Sequence, residues 1–534
     1  MSEHVHLSSE KTSFPLHSRW SFLWLVLGFV GLIFSNGMHI IPVATWLAPV
    51  FVVRFLRTQK VFPGLFLGYL VSAVAFYFEW QAAFQDAGAM FTLYTGIFGL
   101  LVFLPYGVDR LLRPRLQGFA ATLILPTAWV TVEYVLHLIL PLGTFFSVAY
   151  TQSINLPLLQ IMSITGLWGV TFLVVWFASV INYAWEGGFE IKRIGRGVAV
   201  YGVVLLAVTF FGGLRLALFP PSGPTVQVAT LVTNVNEEVI PSDTTELHQR
   251  LMDGTLTEAD RRELSRIMTD INADLFNRTR VQARSGSKII NWTEYNAHVF
   301  KADETAFLDR ARQLAREEQI YLVFPLITIQ TDPALRPEPA RLVENKSIMI
   351  TPQGDIAYQY LKYNLLIGWE DEHAIRGSGE ILTVDTPYGR LASVICLDMD
   401  FPAFMRQAGQ QGADIVLSGA IDGTASTKGN PLHSVMASYR TIESGFSLAR
   451  GGFYAQTVAV DYQGHGLGKI DYYTASDRTL VAQLPIKGTP TLYLTLGDFF
   501  PNLCVIALLG LIVAAFIQKQ RTVRSSRKLS IATH

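Results

Sequence analysis

Apolar residues recur along this chain in two rhythms. Up to about residue 217, and again near the C-terminus, they form long blocks with few interruptions; between these regions they come in short blocks separated by charged stretches. A bilayer core about 30 Å thick takes roughly 20 apolar residues as a helix. On that measure eight spans are predicted, at 20–35, 39–54, 61–79, 89–107, 117–138, 160–184, 197–217 and 494–517. The second is short, so the first two also suit a tight hairpin. The first is read as a retained span, since no small-residue cleavage site follows it and further spans do.

The middle of the chain, 218–493, reads differently. TVQVATLV, KIINW, IYLVFPL, NKSIMITPQG, RLASVICLD, DIVLSG, FYAQTVAVDYQG and LVAQLPI have the length and β-branched content of strands. Helical patterns over 256–284, 303–318, FMRQAGQQGA and a stretch near 431–448 lie among them. Strands interleaved with helices predict an α/β domain whose helices cover its sheets.

Charge adds an orientation. Of the 534 residues only 16% are charged, against about 25% in ordinary soluble proteins. Lys and Arg favour the cytoplasmic side of a membrane. Basic residues precede the first predicted span (Lys11, Arg19) and follow the second (Arg54, Arg57, Lys60), the fourth (Arg110, Arg113, Arg115), the sixth (Lys192, Arg193, Arg196) and the eighth (Lys519, Arg521, Arg524, Arg527, Lys528). The connections between are acidic or uncharged, as at Glu79 and Asp86 and over 139–158. The predicted organisation is a cytoplasmic N-terminus 1–19, a seven-span bundle 20–217, an extracytoplasmic domain 218–493, a final span 494–517 and a basic cytoplasmic tail 518–534. A net charge of zero gives no electrostatic case for nucleic acid. Glu133 and His137, one helical turn apart in the fifth span, either face the bundle interior or are solvated near the outer interface.

There are two cysteines. Cys504 lies within the apolar run FFPNLCVIALLGLIVAAFI, where packing is its expected role. Cys396 is the lone thiol of the middle region and stands where the strand SVI meets polar LDMD. Glu294 ends NWTE, and Lys362 follows YQYL with Glu370 eight residues on. A cysteine attacks a carbonyl as thiolate. Glu294 can take its proton, and Lys362 can favour the thiolate and stabilise a tetrahedral oxyanion. Singly, such residues read as surface charges and a strand filler; their flanks carry the stronger signal. His373, His433 and His465 show no metal-ligand spacing, and no glycine loop for a nucleotide is present, so no cofactor is predicted.

In NWTE, ENKSIMITPQG, the Lys362-to-Glu370 spacing, VICLDMDFP, GADIVLSG, His433 and YRTIESGFSLARGGFYAQTVAVDYQG, the chain resembles the nitrilase, or carbon–nitrogen hydrolase, superfamily. LPTAWVTVEYV, LGTFFSVAYTQ and IMSITGLWGVTFLV resemble the membrane core of bacterial apolipoprotein N-acyltransferases. That resemblance implies a polytopic membrane protein with an inserted nitrilase-like α-β-β-α sandwich, in the bacterial cytoplasmic (inner) membrane. It also implies transfer of an acyl chain from a phospholipid, through a thioester on Cys396, to the N-terminal amine of a diacylglyceryl-modified lipoprotein. Glu294 would be the general base, Lys362 and the Leu397 N–H would hold the oxyanion, and Glu370 would support Lys362. A monomer is expected.

The chain departs from the family at several lining positions. Thr293 stands where proline precedes the glutamate; Asn364 replaces a histidine, Ile367-Gly368-Trp369 a Pro-Phe-Gly, and Leu397-Asp398 a tyrosine–glutamate. LVTNVNEEV lacks the usual glutamine–glycine–asparagine pattern and the tryptophan after it. These positions leave the triad intact but alter its lining, where the acyl donor, the acceptor amine or both are selected. Two other functions suit the same residues: a membrane-tethered amidase, with water resolving the intermediate, and a non-catalytic lipoprotein-binding paralogue.

Overall fold

The computed structural model describes residues 20–81, 89–237, 239, 245–338, 341–423 and 431–532, with side chains described to residue 521. The basic N-terminus with Lys11 and Arg19, the acidic Asp86 and Glu238, and the tail side chains Arg524, Arg527 and Lys528 lie outside them. Two compact units are present, one of 1–133, 171–206 and 501–534, the other of 134–170 and 207–500.

The first unit is helical. Among the described residues, six helices have the length and apolarity of a membrane span: Val61–Trp80, Met90–Arg115, Phe119–Ile139, Trp168–Glu186, Ile191–Leu218 and Phe499–Arg521. The expected count of eight is not confirmed. The first two predicted spans form helices of 13 and 17 residues, Ser21–Ile33 and Pro42–Thr58. At 1.5 Å per residue these are about 20 and 25 Å long, short of a bilayer core. They pack as a close pair: a Cβ added at Gly28 or Gly31 would lie 2.9 Å from Val52 or 2.8 Å from Ala48. The predicted sixth span starts late, because 156–165 forms two single-turn helices and Gly166 turns the chain with φ +63°.

The second unit holds thirteen strands: β1 Thr225–Leu231, β2 Ile289–Trp292, β3 Ala297–Phe300, β4 Tyr321–Ile329, β5 Val343–Ile350, β6 Ile356–Leu361, β7 Thr383–Thr386, β8 Gly389–Ile395, β9 Ile415–Ile421, β10 Ser447–Phe453, β11 Gln456–Val460, β12 Gly466–Asp471 and β13 Thr479–Pro485. One sheet runs β13-β1-β2-β4-β5-β6, with β3 paired to β4; the other runs β12-β11-β10-β9-β8-β7. Each has three adjacent parallel strands, β1-β2-β4 and β8-β9-β10, flanked by antiparallel neighbours. Val228, Ile289, Val323 and Met349 of the first sheet meet Val394, Leu417 and Leu448 of the second in the central core. Glu258–Arg284 and Glu304–Glu318 cover the outside of the first sheet through Leu264, Ile271, Phe276, Phe307 and Leu314. Pro402–Gln410 and Leu432–Ser444 lie on the second, which completes the predicted α-β-β-α sandwich.

The helix expected near 431–448 stops at Ser444, and β10 starts at Ser447. Gly445 turns the chain at φ +75°, so close to Thr489 O that a Cβ would lie 1.7 Å from it.

Residues 134–170 belong to the same unit as the sandwich. Thr144 N donates to Asp400 O at 3.1 Å, Tyr439 Oη to Ala149 O at 2.8 Å, and Arg440 Nη2 to Tyr150 Oη at 3.0 Å. Leu167 N donates to Glu443 Oε1 at 2.8 Å. The stretch LGTFFSVAYTQ is therefore bonded to the turn that follows Cys396.

Candidate active site

Parallel strands present their C-terminal ends on one side of a sheet, and the chemistry gathers there. Glu294 lies just past β2 and is fully buried. The next residue, Tyr295, has φ +60°, a turn that ends the strand's run beside the carboxylate. Gly419 of β9 passes so near that a Cβ on it would lie 2.4 Å from Glu294 N. Only glycine allows the second sheet to approach the base so closely.

Glu294 Oε1 accepts from Asn345 Nδ2 at 2.7 Å and from Lys362 Nζ at 3.0 Å; Oε2 accepts from the Ile421 N–H at 3.1 Å. Lys362, just after β6, also donates to both oxygens of Glu370 at 2.8 Å. Glu370 sits in the short helix Trp369–His373 and accepts from Asn345 Nδ2 at 3.0 Å and Leu366 N at 2.8 Å. One amide of Asn345 thus ties the two carboxylates together. Cys396 follows β8 at φ +49° and is 8% exposed; its Sγ lies 3.9 Å from Ile421 O. Holding a non-glycine residue in this left-handed conformation costs of order 1–3 kcal/mol, strain that clusters at functional sites. Leu397 is in the first turn of the 3-10 helix Cys396–Asp400, where no helical carbonyl precedes its N–H.

Burial pushes the Cys396 thiol well above its ordinary range; Glu294 adds to that push and Lys362 opposes it. Burial also raises Glu294, against the pull of Lys362. Lys362 loses to burial but gains more from Cys396, Glu294 and Glu370, so its proton is held well above the usual lysine range. The resting set is a thiol, a buried ammonium and a carboxylate with enhanced proton affinity. Such a set can generate a thiolate only by passing the proton to Glu294 as the thiol attacks.

The lining departures meet in space. Asp398 is fully buried: Oδ1 accepts from Asn364 N at 2.9 Å and Asn364 Nδ2 at 3.0 Å, and Oδ2 from Tyr360 Oη at 2.7 Å and Ile395 N at 3.1 Å. Asn364 and Asp398 therefore join the lysine-bearing segment to the cysteine turn. Burial raises Asp398 to about 6 despite these donors. Thr293 Oγ1 donates to Ala420 O and accepts from Ala420 N, both at 3.2 Å, bonds that proline could not make. Leu366 and Ile367 are more than half exposed beside Glu370.

Sequence reasoning named Asp398 only as a lining departure and singled out neither Asn345 nor the charged residues around His433; the asparagine of ENKSIMITPQG was the available signal. Cys396, Asp422 and His433 place ligating atoms within 4.8 Å of one another, which the sequence spacing did not reveal. Asp422 and His433 are already engaged with each other and with Arg450, so the three are not assigned as metal ligands. The two residues of the fifth predicted span part company, Glu133 half-buried among helices and His137 buried in the unit that holds the sandwich. Glu133 accepts from Trp129 Nε1 and Thr171 Oγ1, each at 3.0 Å, and His137 is buried against the rings of Trp168 and Phe401.

A two-sheet sandwich with a cysteine at a strand end is an arrangement that resembles the carbon–nitrogen hydrolases. The carbon-nitrogen hydrolase family matches residues 285–485, and the apolipoprotein N-acyltransferase N-terminal domain matches residues 32–180. The apolipoprotein N-acyltransferase of Geobacter metallireducens is 23% identical over 434 residues, covering 76% of each chain. Apolipoprotein N-acyltransferase 2 of Treponema pallidum is 23% identical over 514 residues, 87% of this chain and 88% of that one. An amidase of the nitrilase superfamily from Nesterenkonia AN1 is 18% identical with a TM-score of 0.36, over 50% of this chain and 92% of its own. The two domain matches and the broad coverage of these relatives support a divergent apolipoprotein N-acyltransferase of the nitrilase superfamily.

Proposed function

We propose that this protein moves an acyl chain from a phospholipid, through a thioester on Cys396, to the N-terminal amine of a diacylglyceryl-modified lipoprotein. The observation that carries the reading is the convergence of Glu294, Lys362 and Cys396 from three separate strand ends. In the first half-reaction Glu294 takes the thiol proton as Sγ attacks the ester carbonyl. Lys362 and the Leu397 N–H stabilise the oxyanion. As the C–O bond breaks, the lysophospholipid oxygen leaves with the proton from Glu294. In the second, the neutral acceptor amine attacks the thioester and Glu294 takes its proton. That proton returns to the departing thiolate as the C–S bond breaks. Glu370 holds Lys362 in place through both.

The family relationship supports phospholipid and lipoprotein substrates in a bacterial membrane. The alternating basic connections support an inner-membrane location, with 218–493 facing the periplasm or cell exterior and both termini in the cytoplasm. A monomer is the simplest assembly.

The test is intact mass spectrometry after incubation with phospholipid alone. An acyl-sized gain on Cys396 supports the reading, and its absence overturns it. The isolated thioester is then offered a diacylated lipopeptide, an aminolipid or buffer. Selective transfer to the lipopeptide identifies the acceptor. Loss at the same rate in all three would make the protein a hydrolase.

A further inference from the structure

A second charged group lies close to Cys396, within 4.8 Å of its sulfur. His433, on the helix Leu432–Ser444, is 8% exposed. Its Nδ1 is 2.6 Å from Asp422 Oδ1. Its Nε2 is 3.0 Å from Asp400 Oδ2, at ion-pair distance but outside hydrogen-bond alignment. A neutral imidazole would turn a bare lone pair toward one of these carboxylates, so the geometry favours the doubly protonated ring. Arg450 Nη2, from β10, donates to Asp422 at 2.7 and 2.9 Å and lies 3.2 Å from His433 Nδ1. Arg450 Nη1 is bonded to Ser434 Oγ at 3.0 Å.

The places where this group attaches matter. Asp400 closes the turn that begins at Cys396. Asp422 directly follows Ile421, whose N–H holds Glu294 at 3.1 Å and whose carbonyl lies 3.9 Å from Cys396 Sγ. One ring therefore spans the two backbone segments that carry the nucleophile and orient its base.

We propose that His433, as a cation clamped between Asp400 and Asp422, is a positioning residue that holds the Cys396 turn and the Ile421 peptide in register with Glu294. It touches neither acyl donor nor acceptor in this role. Charge is essential to it, because a neutral side chain would remove the one cation within ion-pair distance of both buried carboxylates and leave them to Arg450 and the Arg440 guanidinium. Among the described residues, the groups that face the ring from neighbouring elements are Asp400, Asp422, Arg450 and the Cys396 thiol. Burial opposes protonation of His433, but the two carboxylates outweigh it and raise the group from 6.5 to about 9. A histidine raised on folding contributes in full below its unfolded value and loses that contribution as pH rises through the folded one. The clamp should therefore hold at neutral pH and release as pH passes about 9.

The inference rests on Cys396 being the nucleophile, and the experiment separates the two ideas. Full-length protein in lipid nanodiscs is mixed with phospholipid, and the initial rate of acyl-thioester formation is followed by intact mass spectrometry between about pH 6 and about pH 10. Wild type should hold its rate to about pH 8 and lose it above about pH 9. His433→Gln should be slower at neutral pH by about 10²-fold, the scale of an ångström of misplacement, and lack the alkaline decline. His433→Lys, which keeps a cation, should recover part of the loss. A His433→Gln enzyme with wild-type rate and pH profile overturns the proposal. Equal losses for Gln and Lys, each with the alkaline decline retained, overturn it too. If neither variant folds, the wild-type profile decides, since a rate undiminished above about pH 9 also refutes the clamp. Absence of any adduct in wild type, or an adduct surviving Cys396→Ser, refutes the parent reading instead.

Discussion

In the Lys362 group beside Cys396, one ammonium serves two carboxylates, Glu294 and Glu370; in the His433 group, an imidazolium and a guanidinium serve Asp400 and Asp422. The first set has surplus negative charge in a buried setting, and Glu294 answers with raised proton affinity. The second is balanced, and Asp422 is held below the usual carboxylate range, against the effect of burial, chiefly by Arg450 and His433. Acid–base work needs a group that can change protonation at little cost; positioning needs groups that do not. The two charged groups beside one sulfur are thus built for opposite tasks from similar residue types.

Substitutions can break this contrast. The largest effect is expected from Cys396→Ser, which should leave no acyl adduct by mass spectrometry, since an alcohol in the same place is a poor nucleophile without a thiolate's acidity. Next come Glu294→Gln and Lys362→Met, each expected to slow thioester formation by about 10² or more. Glu370→Gln should cost less, because Lys362 would keep Glu294 as partner; an equal loss would make Glu370 part of the proton or oxyanion chemistry. Lys362→Met should also lower stability by about 3–5 kcal/mol, since two buried carboxylates lose their cation, and denaturant unfolding would show it. Asp398→Asn turns an amide N–H toward donors the carboxylate now accepts, and should cost about 1–3 kcal/mol in the same unfolding measurement. Cys504→Ser, far along the apolar helix from all of this, should leave turnover unchanged in the mass-spectrometric assay.

The fold was legible where periodicity carried it. β1, β2, β4, β5, β8, β9 and the helices Glu258–Arg284 and Glu304–Glu318 follow apolar runs of matching length. β10 was hidden because SLARGGF has few apolar side chains, and its seven residues are all buried against neighbours distant in sequence. The first two predicted spans were legible in kind but not in their bounds. The first apolar block runs on past its helix into the turn around Gly37, so the helix is shorter than the predicted 20–35, while the second helix, Pro42–Thr58, is one residue longer than its predicted span but displaced from it. The pair forms the tight hairpin that the sequence also allowed.

The candidate site divides the same way. The residue types and flanks at Glu294, Lys362, Glu370 and Cys396 were readable because each sits at the end of a recognisable strand or segment, where a reactive group can leave the core. Local sequence also determined the alternation of apolar blocks and basic connections, since hydropathy and charge act residue by residue. Tertiary structure alone decided that Asn345 would bridge two carboxylates, that Asn364 and Asp398 would replace their family counterparts as a bonded pair, and that His433 would lie between Asp400 and Asp422. Those pairings join residues up to 51 positions apart. Their energies exist only once burial removes water and brings the partners within bonding distance, and no local pattern in the chain encodes that distance.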